Sequence, residues 1–241
     1  MQLYFIRHAQ STNNAYWIQQ DTDNDLRRSS DPELTGLGRQ QIGVLAKFLR
    51  SGSPDGGQIT SGNNGGFGIT HIYCSLMVRA VETGVTAAAE LGLPLTAWPD
   101  LHEVGGIYEM MPETEERIGL PGPNRAFFEE HFPSLQLPDL LNDKGWWSRP
   151  FENPDDAVRR AERVLNVLQD RHGGTDDRVA VVSHGGFFKM FLCQILGAPR
   201  LRSGWISMAN TAISRINFHS DWFDVVYVNR TDFIPPQIYT V

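Results

Sequence analysis

Short continuous apolar runs alternate along the chain with stretches in which apolar positions recur every three or four residues. The first run, residues 3–6, reads Leu3-Tyr4-Phe5-Ile6 and has the pattern of a strand buried on both faces. Runs at 69–74, 95–98 and 179–183 predict three more strands, and 212–218 with 223–229 read as a terminal strand pair. A polar loop follows the first strand. Residues 38–50 then carry Ile42, Leu45, Ala46 and Leu49 on one helical stripe. Residues 77–91 predict a second helix, closed by Gly92 and then Pro94. Asn153-Pro154-Asp155-Asp156 supplies an N-cap, a proline at the first helical position and acidic residues in the first turn. The helix it opens buries Val158, Ala161, Leu165 and Leu168 and ends before Gly173-Gly174, and a last helix covers 187–196. Strands alternating with helices predict an α/β protein, a three-layer α/β/α sandwich around a mainly parallel sheet.

Two stretches depart from the alternation. Residues 52–68 hold seven glycines in 17 positions with no apolar period, so a flexible surface loop is expected. Residues 106–153 are rich in proline and aromatics and too long for a plain connection, which predicts a lid or a small helical insertion. Its Tyr108, Phe127, Phe128, Trp146 and Trp147 could contact an organic group, and Arg125, Lys144 and Arg149 could meet negative charge; a satellite hydrophobic cluster is the alternative. No internal repeat or heptad pattern is present, and one domain over 1–241 with these two insertions is the economical organisation.

Composition bounds the class. The 241 residues are 41% hydrophobic and 20% charged, ordinary globular values that exclude a largely disordered chain. A net charge of −7, without a long Lys/Arg run, argues against a general nucleic-acid or anionic-membrane binder. Any site for an anion must therefore be a local basic pocket. Cys74 and Cys193 sit in apolar stretches and exclude a disulfide-rich scaffold. The first residues lack the basic region of a signal peptide, and 187–196, interrupted by Lys189 and Gln194, is too short to span a bilayer. A cytoplasmic protein is expected.

Three polar constellations begin where predicted strands end: Arg7-His8-Ala9-Gln10-Ser11, Ser75 to Arg79, and Ser183-His184-Gly185-Gly186. In open α/β sheets ligands bind at the carboxyl ends of strands, and the helices that follow aim backbone N–H groups at the same place. Each piece alone has a plain structural reading. His71, His131, His172 and His219 read best as structural histidines, and Arg79 has Glu82 three residues on as an intrahelical partner. Joint placement at one sheet edge is what favours a shared pocket.

Arg7-His8-Ala9 after an N-terminal strand resembles the signature of the histidine phosphatase superfamily, also called phosphoglycerate mutase-like. The resemblance continues, in the family's order, through Glu33-Leu34-Thr35-Gly36-Leu37-Gly38-Arg39-Gln40-Gln41, Ser75-Leu76-Met77-Val78-Arg79-Ala80-Val81-Glu82-Thr83, Leu101-His102-Glu103, Val181-Val182-Ser183-His184-Gly185 and Asn210-Thr211-Ala212-Ile213. It implies a phosphoglycerate mutase-like fold, His8 as the phosphoryl-accepting nucleophile, Arg7 and Arg79 as clamps on the phosphoryl oxygens, His184 completing the basic pocket and Glu103 as proton donor. Asn14 and the Gly185 backbone add phosphate hydrogen bonds in this reading, and Glu82 and Glu109 are runner-up acids. Ala9 stands where the family usually has glycine, and Glu103-Val104-Gly105-Gly106-Ile107-Tyr108-Glu109 is one residue shorter than the usual segment after the acid.

The chemistry is coherent. An imidazole provides a neutral nitrogen nucleophile near pH 7, and covalent catalysis splits hydrolysis into transfer to His8 and attack by water. Phosphoryl transfer asks the protein mainly for positioning and charge stabilisation, which the planar fork of arginine supplies. No metal-binding motif or clustered carboxylate set is evident, so neither metal nor cofactor is expected at the site. The expected activity is a metal-independent phosphomonoesterase acting on a small phosphorylated substrate. A phosphoglycerate-type mutase and a non-catalytic phosphate-binding module are the alternatives. Residues 14–31 do not resemble the mutase branch's characteristic segment, which favours hydrolysis.

Overall fold

The computed structural model describes residues 1–18, 28–53, 66–141, 143–198 and 204–241. Its centre is a seven-stranded sheet in the order β6-β3-β2-β7-β1-β8-β9. The strands are β1 Gln2–Arg7, β2 His71–Cys74, β3 Leu95–Ala97, β6 Leu135–Gln136, β7 Arg178–Ser183, β8 Ile213–Phe218 and β9 Phe223–Arg230. Pairs β1/β7, β2/β7, β2/β3 and β3/β6 are parallel, whereas β1/β8 and β8/β9 are antiparallel. The mainly parallel sheet is the expected one, with its antiparallel edge supplied by the terminal strand pair.

Period-2 alternation sorts side chains to two faces. From β1, Tyr4 and Ile6 join Ile72, Cys74, Ala180 and Val182 in a cluster closed by Leu45 and Leu49 of α2 (Gly36–Ser51) and Ala80 and Val81 of α3 (Val78–Leu91). Leu3 and Phe5 turn to the other face with Val179 and Val181. There they meet Ala161, Val164 and Leu168 of α5 (Pro154–His172) and Phe187, Phe188 and Phe191 of α6 (Gly185–Ile195). The result is the α/β/α sandwich.

Local chemistry sets the helix ends. Thr35 caps α2 by accepting from Gly38 N at 3.0 Å, and Asn153 caps α5 by accepting from Asp156 N at 2.9 Å. Gly92 ends α3 in the left-handed conformation, φ 68°, as the sequence predicts.

The polar loop after β1 contains a helix that the sequence reading lacks, α1 Thr12–Ile18. Ser11 and Asn14 cap it reciprocally: Ser11 Oγ accepts from Asn14 N, and Asn14 Oδ1 accepts from Ser11 N. The segment 106–153 is more than a small helical insertion. It forms the hairpin β4 Tyr108–Met110 with β5 Arg117–Gly119, the short helix α4 Arg125–His131, and β6 at the edge of the main sheet. Phe128, Trp146 and Trp147 pack into the α2/α3-side core itself rather than into a separate satellite cluster. Residues 54–65 of the glycine-rich stretch lie outside the described residues. At its described end Phe67 is fully buried against Tyr4 and Phe48, anchoring that end to the core, while Gly68 is exposed.

Candidate active site

The three constellations follow β1, β2 and β7, which are neighbours at the middle of the sheet in the order β2-β7-β1. Arg7 is level with Ser183 and Cys74 with Val182, so the parallel register brings all three strand ends to one edge. A cavity of about 420 Å³ opens there, lined by Arg7, His8, Asn14, Arg79, Glu103 and Gly185 together with Ser11, Asn13, Arg28, Gly186, Trp205, Ile206 and Met208. His184 lies beneath it, fully buried, with its ring centroid 5.1 Å from that of His8. All seven sequence-predicted residues therefore gather at one place. The runner-up acids do not: Glu82 sits 3.5 Å from Arg39, and Glu109 is exposed on β4.

The His8 tautomer follows from its partners. Nε2 faces Arg79 Nε at 3.1 Å, and because a guanidinium only donates, Nε2 must carry a lone pair. Nδ1 donates to the Ala9 carbonyl at 2.6 Å. Burial, and then the charges of Arg79 and Arg7, hold the His8 pKa well below its ordinary value, so the ring is neutral. His184 is held neutral in the same way, by burial first and by Arg79 next. Its Nε2 shares a 2.9 Å bond with Ser75 Oγ, and its Nδ1 has no partner among the described residues.

The arginines are held from behind. Arg7 Nη1 donates to the Met208 carbonyl, while its buried Nε lacks a partner among the described residues. Burial lowers the Arg7 pKa to about 10, against a raising influence from Glu103. Arg79 pairs at 3.5 Å with Asp31, not with Glu82 three residues on in its own helix. Asp31 also accepts from Val78 N at 3.2 Å, and burial raises its pKa to about 7 despite Arg79. Sequence reasoning missed Asp31. It likewise missed Arg28, whose Cζ lies 4.5 Å over the Tyr108 ring at the cavity rim. Thr83 and Asn210, inside recognised segments but given no role, hold the nucleophile loop: Thr83 Oγ1 accepts from Ala9 N, and Asn210 Nδ2 donates to the His8 carbonyl.

Glu103 lies against the N-terminus of α6. Oε1 accepts from Phe187 N and Val104 N, both at 2.8 Å, and Oε2 accepts from Gly186 N at 3.1 Å. With a single bond, Oε2 is the oxygen with capacity to spare. A Cβ on Gly186 would stand 2.5 Å from Oε1, so the carboxyl group keeps this position only with glycine there. The loop carrying Glu103 is fixed by Arg160, which donates to the carbonyls of Asp100 and His102 and forks onto Glu152 at 2.7 and 2.6 Å. The segment 106–153 supplies that Glu152 and packs Trp147 on His102, while contributing none of the described cavity-lining residues.

As a chemical device the site presents a neutral imidazole nitrogen, two guanidinium groups and a carboxyl group around a space of small-molecule size. Two buried nitrogens, Arg7 Nε and His184 Nδ1, have no hydrogen-bond partner among the described residues. Comparison with known proteins agrees. A probable phosphoglycerate mutase GpmB of Cronobacter sakazakii is 24% identical over 96% of this chain and 92% of its own length. A mycobacterial glucosyl-3-phosphoglycerate phosphatase solved with VO3 superposes with a TM-score of 0.61 at 19% identity, covering 95% of this chain and 99% of that one. A phosphoserine phosphatase of Entamoeba histolytica solved with phosphoserine gives 0.57 at 18%, covering 97% and 99%. At these identities the solved structures establish the shared fold. The model of the histidine phosphatase superfamily (branch 1) matches residues 3–231, and the chain belongs to that superfamily.

Proposed function

We propose that the protein is a phosphomonoester hydrolase that works through a phosphohistidine on His8 without a metal ion. The observation that carries this reading is the Arg79 Nε contact on His8 Nε2, which identifies a neutral, lone-pair-bearing nitrogen beside a cationic phosphoryl clamp. A phosphoryl group seated between Arg7 and Arg79 takes up the guanidinium donors and frees Nε2. The Nε2–P bond forms as the P–O bond to the leaving group breaks, and Glu103 Oε2 delivers the proton that the leaving oxygen needs. Water then attacks phosphorus, returns its proton to Glu103 and releases inorganic phosphate. His184 Nδ1 and Arg7 Nε are the free donors for the transferred oxygens, and Asn14 and Gly185 border the same space. Two arginines supply the positive charge that a metal supplies elsewhere. The side-chain carboxyl groups at the cavity, among the described residues, are Glu103 on its helix terminus and Asp31 behind Arg79.

The volume of about 420 Å³ suits a small phosphorylated substrate. The test is turnover of a phosphomonoester in excess chelator, beside His8→Ala. Undiminished turnover with chelator, an acid-labile phosphoenzyme, and loss of both turnover and phosphoenzyme in His8→Ala are expected. Loss of activity with chelator, or a fully active His8→Ala, overturns the proposal. The mutase names of relatives at 22–24% identity support a second reading, phosphoryl exchange within one substrate. Dependence on a bisphosphate primer would select it.

A further inference from the structure

His71, His172 and Asp177 meet at the end of the sheet opposite the catalytic cavity. His71 opens β2 and Asp177 immediately precedes β7, whereas the cavity lies beyond the far ends of the same strands, about 13 Å along β2. One ligand atom from each residue can be chosen so that all lie within 4.8 Å of one another. Asp177 Oδ2 is 2.8 Å from His172 Nδ1, and Oδ1 is 3.8 Å from His71 Nδ1. The histidine rings are 4.6 Å apart, centroid to centroid. The three residues come from three elements: the start of β2, the last turn of α5 and the α5–β7 turn.

The geometry points to a mononuclear divalent transition-metal site of the Zn²⁺ class, held by His71, His172 and Asp177 and separate from the catalytic centre. A tetrahedral zinc with bonds of about 2.0–2.1 Å sets its ligand atoms about 3.4 Å apart, between the separations seen here. The half-exposed His71 side chain can rotate to close the difference. His172 is already oriented by a buried partner: Nε2 lies 3.0 Å from the Tyr73 hydroxyl. Nδ1 shares a 2.8 Å hydrogen bond with Asp177 Oδ2, and an ion would take the place of the proton between them, with Nε2–H then donated to the Tyr73 oxygen as the outer hydrogen bond that fixes a ligating histidine. Water completes the coordination. Two imidazoles and one carboxylate select zinc and its neighbours over Ca²⁺ or Mg²⁺, which take six or more oxygens. The ligands come from β2, α5 and the α5–β7 turn, so the ion would join three elements.

The test uses the full chain in a His8→Ala background, which removes a catalytic-site histidine as a competing zinc ligand. Zn²⁺ titration by calorimetry is expected to give one ion per chain with a rise in melting temperature. His71→Ala and Asp177→Asn should each lower the affinity at least about tenfold. Co²⁺ should give visible d–d absorption that disappears in both variants. With His8 intact, the same two substitutions leave phosphatase turnover unchanged, so the outcome is independent of the catalytic proposal. Absence of saturable Zn²⁺ binding, or binding that either substitution leaves unaltered, overturns the inference.

Discussion

Gly186→Ala tests the proposed proton-donor role of Glu103 without touching His8. An added Cβ would stand 2.5 Å from Oε1, 3.0 Å from Cδ and 3.3 Å from Oε2 of Glu103. Ordinary contact begins near 3.5 Å, so the carboxyl group must retreat by about 1 Å from the start of α6. It then gives up its bonds from Gly186 N and Phe187 N. A displacement of that size in a catalytic group costs about 100-fold, within the range of about 10²–10⁴ that a positioned general acid contributes.

The loss should depend on the leaving group. An alkoxide leaves only with a proton, whereas p-nitrophenolate leaves well without one. Phosphoenzyme formation, followed by rapid quench to isolate the first chemical step, should fall about 100-fold with an alkyl phosphate. With p-nitrophenyl phosphate the same step should fall less than about fivefold. Stability moves little, because alanine gains up to about 1 kcal/mol over glycine in a helix while water replaces the lost donors at an open site. The melting temperature should stay within about 5 °C of the parent. Equal losses with the two substrates, or no loss with either, would refute the assignment of Glu103 as the acid.

Three further outcomes follow from the same geometry. Because His8 is held neutral well below its ordinary pKa, kcat/KM corrected for the substrate's own ionisation near pH 6 should show no acid limb at about 6.5; such a limb in the pH profile would contradict the neutral ring. Asp31 titrates at about 7 in the folded chain against 3.8 ordinarily, so the folded state holds the extra proton between those values and stability falls as pH rises through that window. Asp31→Asn should therefore narrow the gap between urea midpoints measured at about pH 5 and about pH 8. Arg79→Lys keeps a charge but loses the Nε donor to His8 and the fork, and kcat/KM should fall about 10²–10³-fold, a loss that steady-state kinetics reads directly.

What the sequence made legible and what it concealed divide along the range of the forces involved. Buried parallel strands and the Asn153-Pro154 helix start are written in contiguous residues, and both lie where the pattern puts them. The convergence of His8, Arg79 and His184 was also readable, because chain order and the strand-end rule suffice to bring them together. Helix α1 was hidden because Thr12–Ile18 has no apolar stripe and rests on a two-residue polar cap. Strands of two or three residues, such as β4, β5 and β6, are too short to show a period. Asp31 is a partner 48 residues from Arg79, a distance no local rule spans. The helical-neighbour rule favoured Glu82 for Arg79. A buried guanidinium gains more from a buried carboxylate and a ring nitrogen, and Glu82 is left to Arg39 at the surface.

The net charge of −7 and a pocket built on two arginines are reconciled inside the site itself. Each buried guanidinium faces one carboxyl group, Arg79 with Asp31 and Arg7 with Glu103. The net charge of −7 opposes long-range attraction of an anion, so affinity must come from short-range groups: Arg7 Nε and His184 Nδ1, which lack partners among the described residues, and the fork of Arg79. The same arrangement couples binding to reactivity. In the free chain the His8 lone pair is engaged by Arg79 Nε, and the ligand that releases it is one that competes for the guanidinium as an acceptor. A phosphoryl oxygen does this more strongly than a neutral acceptor. Under the proposed mechanism, occupation by an anion and release of the His8 lone pair are a single event.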